Sequence, residues 1–143
     1  MPSVDEKQVR IASENDILSA RHLARELAAQ TGFIGSDLTV VATAISEVAR
    51  NILEYAGDGE IVLRAVQDGD RSGILVVATD QGPGIDDIER AMQDGYSTGH
   101  SLGLGLPGAR RLMDEFEIRS ELDRGTTVTM TKWVSNGARR VAR

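Results

Sequence analysis

The chain predicts an α+β fold, a two-layer sandwich in which a mostly antiparallel sheet carries its helices on one face. Its 143 residues amount to about one ordinary domain. Element signals run in the order strand, two helices, two strands, a glycine-rich region with a helix, then two strands. Helices grouped before and between antiparallel strands suit a sheet with one covered face. Hydrophobic residues make up 41% of the chain and cysteine is absent, so the core must be built by packing alone.

Val9 to Ile11 predicts a short edge strand. Ser13 with Asp16 resembles a helix N-cap with an acidic residue at the third helical position, and the helix should run to about Gln30. Ile17, Ala20, Ala24, Leu27 and Ala28 share one face, and Gly32 supplies a stop. Ser36 is expected to open the next helix in the same way. Leu38, Val41, Ala42, Ile45, Val48, Ala49, Ile52 and Ala56 form its apolar stripe, and Gly57-Asp58-Gly59 ends it.

Glu60 to Val66 and Ile74 to Thr79 read as hairpin partners around a turn containing Gly69 and Gly73. From Gln81 to Gly108 there are seven glycines and two prolines, with one short helix expected at about 85–92. Such a stretch is too long for an idle connector. Pro107 suits the first turn of a helix ending near Asp114. Phe116 to Leu122 and Thr126 to Val134 form the last hairpin, joined by Asp123-Arg124-Gly125. One domain is therefore expected over 1–134, with a basic tail over 135–143 that either frays or serves as a docking arm for an acidic partner.

No stretch approaches the roughly 18–20 apolar residues of a membrane span, and Met1 to Gln8 lacks a signal-peptide core. A cytoplasmic protein with no membrane contact is expected. A net charge of −6 argues against a nucleic-acid partner, which calls for a basic stripe.

Three clusters are suited to chemistry. Glu47 and Asn51 lie four apart, one helical turn, on a face roughly 90–120° from the middle of the apolar stripe. An amide oxygen suits Mg2+, and a carboxylate one turn away can orient or deprotonate a hydroxyl. Asp80-Gln-Gly82-Pro-Gly84-Ile85 follows a strand, offering a carboxylate acceptor for an exocyclic amine and a backbone open to close approach. Gly103-Leu104-Gly105-Leu106 precedes a helix, where exposed N–H groups and the helix dipole favour a phosphate. No Gly-Lys-Ser/Thr follows, and no βαβ unit surrounds it, so it is neither a Walker loop nor a Rossmann fingerprint. Each cluster also has an ordinary reading: a polar helix face, a turn and a glycine-rich cap. His22 reads as a surface residue and Trp133 as a packing or interface residue.

In this order and spacing the clusters resemble the GHKL superfamily of Bergerat-fold ATP-binding domains, over roughly Val9 to Val134. Glu47 to Asn51 resembles the N-box, Asp80 to Gly84 the first Gly box, Gly103 to Leu106 the second, and Gly125-Thr126 the final Gly-Thr element. The resemblance implies Mg2+ on Asn51, the adenine amine of ATP on Asp80, and a pocket shaped by Gly82, Gly84, Gly103 and Gly105. It also implies that Thr126 supports the base end and that Asp94 to Leu102 forms an ATP lid.

The gyrase, chaperone, mismatch-repair and sensor histidine kinase members need further domains, for which this length leaves no room. The small bacterial serine/threonine kinases remain. Ile45 to Ile52, Tyr55-Ala-Gly57, Asp80 to Ile85 and Leu112 to Phe116 are similar to the RsbT-type switch kinases of stressosomes. Many anti-sigma kinases carry His where this chain has Tyr55, which favours the switch kinase. That resemblance implies Mg·ATP-dependent phosphorylation of STAS-domain scaffold and antagonist proteins, followed by activation of an effector such as a PP2C-type phosphatase. Glu47 would then orient or accept the substrate hydroxyl's proton. The alternatives are an anti-sigma factor kinase that sequesters a sigma factor and a nucleotide-gated docking module with vestigial kinase activity. The expected lid holds no Lys or Arg, only His100; Arg50, Arg110 and Arg111 lie near the motifs and could supply charge to the γ-phosphate.

Overall fold

A computed structural model of the chain describes residues 6–84, 92 and 105–135. The expected helix at 85–92 and the expected lid lie outside the described residues, Met92 excepted, as does the tail beyond Ser135.

The described elements are β1 (Glu6–Ile11), α1 (Glu14–Thr31), α2 (Ser36–Ala56), β2 (Gly59–Asp68), β3 (Arg71–Asp80), α3 (Gly105–Leu112), β4 (Glu115–Glu121) and β5 (Gly125–Trp133). The strands form one antiparallel sheet in the order β1-β2-β3-β5-β4. This is the expected α+β sandwich.

Local chemistry fixes the first helix. Ser13 Oγ accepts from the Asp16 N–H at 3.3 Å, and Asp16 Oδ2 reaches back to the Ala12 N–H at 2.8 Å. One orphan donor of the first turn and the N–H of the residue before the cap are thus satisfied. Gly32, at φ 121°, closes the other end with its N–H on the carbonyls of Ala28 and Ala29. Ile17, Ala20, Ala24, Leu27 and Ala28 are the residues that α1 buries, the face read from periodicity.

The second helix departs from expectation at its start. Gly35 is the N-cap and no side chain caps the helix, so Ser36 is the first helical residue rather than its cap. Its buried surface is also wider than one stripe, adding Ala44, Ser46 and Glu47. The cause is position: α2 packs on α1, on the sheet and on α3, so three sides of its middle are covered.

Gly73 is not in the β2–β3 turn. It pairs with Val66 and Trp133 inside β3, where a Cβ would fall 2.7 Å from the Trp133 ring. Trp133 is a packing residue, as expected: Arg71 stacks 4.0 Å from its ring centroid and its Nε1 donates to Glu115 at 3.2 Å. Together with Asp37, Asp114 and Lys132 these residues line a charged cleft at the end of the sheet remote from Asp80 and Thr126.

The core lies between the sheet and the helices. Ile61, Leu63, Ile74, Val76, Ala78, Val128 and Met130 point inward from the strands to meet Ile45, Val48, Ile52 and Leu27. Along β3 the inward positions alternate Ile74, Val76, Ala78, Asp80, so the period that buries the strand also carries Asp80 to the core side at its end.

Candidate functional site

Four chain segments meet at one end of the sandwich: the second half of α2, the end of β3, the start of α3 and the start of β5. Asp80 is 8% exposed. Its Oδ1 accepts from the Gly82 N–H at 2.9 Å and from the Thr126 N–H at 3.3 Å. One carboxylate oxygen therefore ties the loop after β3 to the first residues of β5. The other makes no hydrogen bond to the described residues and remains an acceptor for a ligand's N–H.

The glycines around Asp80 are required by close packing. A Cβ on Gly125 would sit 2.1 Å from the Asp80 carbonyl oxygen, and one on Gly82 2.6 Å from Ala56 Cβ at the end of α2. Gly84 has φ +83°, and its Cβ would meet the Glu121 carbonyl at 2.4 Å. Thr126 is buried with its hydroxyl 2.9 Å from Ser120 Oγ, and both lie on the core face of the β4–β5 pair.

Glu47 is 6% exposed, and its Oε1 accepts from the Gly105 N–H at 2.9 Å, at the N-terminus of α3. Gly105 has φ +71°, and a Cβ there would meet Pro107 Cδ at 3.5 Å. Arg50 Nη1 lies 3.9 Å from the same Glu47 oxygen. Asn51, half-buried, is one turn along α2 from Glu47 on the same face.

The arrangement brings together Glu47, Asn51 and Gly105 on one side, and Asp80, Gly82, Gly84 and Thr126 on the other. Leu106 is 3% exposed and part of the core, so only its backbone is placed to serve a ligand. Ile85, Gly103 and Leu104 lie outside the described residues. Arg110 and Arg111 are exposed on the last turn of α3. His22 pairs with Glu26 on the surface of α1.

Two contributors escaped the motif reading. Ser120 fills the inward position opposite Thr126, which strand alternation in β4 could have revealed. Gly59 passed for a helix stop, yet its Cβ would lie 2.5 Å from the Thr79 carbonyl and 2.7 Å from Ile52. Nothing local in the sequence signals that approach.

The model of the histidine kinase-like ATPase domain matches residues 11–132. The chain belongs to that family. Among curated relatives of this ATPase domain, the serine/threonine-protein kinase RsbT of Bacillus subtilis (strain 168) is 48% identical over 130 residues, covering 91% of this chain and 98% of that protein. The anti-sigma F factor of Thermoanaerobacter sp. (strain X514) is 32% identical over 123 residues, covering 82% and 85%. A mycobacterial sensor histidine kinase, MprB, shares the fold with a TM-score of 0.53 at 18% identity, over 90% of this chain and 97% of that one. Within the histidine kinase-like ATPase domains the chain is of the serine/threonine-protein kinase type and ATP-binding, as its motifs led us to expect. Among the described residues no helix is long and apolar enough to cross a membrane.

The residues present fit ATP. Asp80 offers an acceptor of the kind an adenine amine needs, anchored through its other oxygen. The N-terminus of α3, beside a carboxylate on α2, suits a phosphate chain and a hydroxyl that is to be phosphorylated.

Proposed function

We propose that this protein is a switch kinase of a bacterial partner-switching module. It transfers the γ-phosphate of Mg·ATP to Ser or Thr of STAS-domain scaffold and antagonist proteins. It then binds and activates an effector of the PP2C phosphatase type. The observation that carries this reading is the meeting of Glu47 with the α3 N-terminus one turn from Asn51: a buried carboxylate and a helix N-terminus share one spot, which suits a proton acceptor beside a phosphate. The similarity to RsbT supports a serine/threonine kinase acting on other proteins.

In the reaction, Glu47 takes the proton of the substrate hydroxyl as its oxygen bonds to the γ-phosphorus and the bond to the bridging oxygen of the departing ADP breaks. Asn51 would hold Mg2+, which offsets phosphate charge when bound. With the Gly105 N–H held by Glu47 and none on Pro107, the Leu106 backbone N–H is the donor at the start of α3 that would stabilise the transferring phosphoryl group.

The test is phosphotransfer from Mg·ATP to purified STAS-domain proteins of the same genome, with Asn51→Ala as control. Phosphate on a STAS Ser or Thr, lost in the control, is the expected result. Intact nucleotide binding without transfer, together with capture of a sigma factor, would replace this reading with the anti-sigma role of the more distant relatives.

A further inference from the structure

We infer that Arg50 is the residue that reads the γ-phosphate, and so the residue by which this site distinguishes a nucleoside triphosphate from a diphosphate. The inference deepens the kinase reading and rests on it.

Three observations on α2 and α3 converge on this residue. Arg50 precedes Asn51 in the chain and lies three residues after Glu47, so its side chain starts on the flank of the face that carries both. Its Nη1 is 3.9 Å from Glu47 Oε1, too far for a hydrogen bond, while that oxygen takes its hydrogen bond from Gly105. Among the described residues no hydrogen bond engages the guanidinium, so its five donors are open while its charge is held toward the carboxylate. Finally, its side chain is only 33% exposed, whereas Arg110 and Arg111 are exposed residues on the last turn of α3.

A transferring phosphoryl group spreads charge over three oxygens and needs a positive partner. The stretch Asp94 to Leu102 contributes no Lys or Arg. Arg50 is the cation that the described residues bring to the carboxylate, and a planar fork of N–H groups suits two phosphate oxygens at once. The pairing with Glu47 adds timing. While Glu47 is charged it competes for the guanidinium. Once Glu47 has taken the hydroxyl proton it is neutral, and the attraction of Arg50 passes to the phosphoryl oxygens.

The experiment is calorimetric binding of Mg·ATP and of Mg·ADP to the full chain, as wild type, Arg50→Gln and Arg50→Lys. Arg50→Gln should weaken ATP about tenfold and leave ADP within about twofold. Arg50→Lys, which keeps the charge beside Glu47 but not the fork, should fall between Gln and wild type for ATP alone. Equal losses for both nucleotides, or no loss for either, would overturn the inference while leaving the kinase reading intact. Should Arg50→Gln not fold, the Lys variant decides by the same ratio. Failure of the wild type to bind either nucleotide would overturn the inference and the reading beneath it together.

Discussion

The backbone N–H of Gly105 donates to Glu47 Oε1 at 2.9 Å, joining the start of α3 to the middle of α2 across 58 positions of sequence. The carboxylate proposed to take the substrate proton is therefore also the group that seats α3, the helix proposed to receive the phosphate chain. Substitutions at Glu47 can be chosen to keep one role and remove the other.

Glu47→Gln keeps an oxygen for Gly105 but cannot take a proton. Phosphotransfer measured in a single turnover should fall by about 10²- to 10⁴-fold, while ATP binds at least as tightly as to wild type because the neutral side chain no longer competes for Arg50. Transfer at the wild-type rate would remove Glu47 from the chemistry.

Asp80→Asn should show two effects. If its oxygen keeps the Gly82 and Thr126 N–H groups, its NH2 then faces the adenine amine, donor against donor. Calorimetry should register a loss of ATP and ADP affinity of at least about tenfold. Urea unfolding should also show a loss of about 1 kcal/mol, because charged acceptors make the stronger bonds.

Gly125→Ala tests the close approach of β5 to β3. At φ +111°, with a Cβ 2.1 Å from the Asp80 carbonyl oxygen, alanine cannot be accommodated without moving the backbone. We expect a loss of about 2–4 kcal/mol in urea unfolding. The emission of Trp133, the single tryptophan, follows that transition from the end of the sheet remote from the nucleotide.

Ser13→Ala is the contrasting case. Removing the cap of α1 should cost about 1 kcal/mol in the same urea assay. Nucleotide affinity should not change, because none of the described site residues lies on α1.

Features set by neighbouring residues were legible in the sequence. The Ser13–Asp16 box, the Gly32 and Gly57 stops and the buried face of α1 all follow from chemistry within a turn or two of helix. Ser36 misled because its hydroxyl suits a cap, yet Gly35 is the residue whose backbone turns into α2. Gly73 reads as a turn residue in the sequence because glycine signals both turns and tight packing, and only the register against Trp133 separates the two. The Asp80 motif marks a residue that the structure buries at the end of β3, but its hold on Thr126 depends on strand pairing across 46 positions. The Glu47–Gly105 bond is likewise tertiary, and no spacing within α2 encodes it.

The clasp that Asp80 makes between the β3 loop and β5 bears on how this gene should be studied in living cells. An Asp80 allele would both empty the nucleotide site and enlarge the unfolded fraction exposed to proteases, so its phenotype would mix lost signalling with a shrunken protein pool. A Glu47→Gln allele, whose product should accumulate normally and still occupy its partners, isolates phosphorylation from presence. Comparing the two strains at matched protein abundance separates what the enzyme does from what the bound protein does.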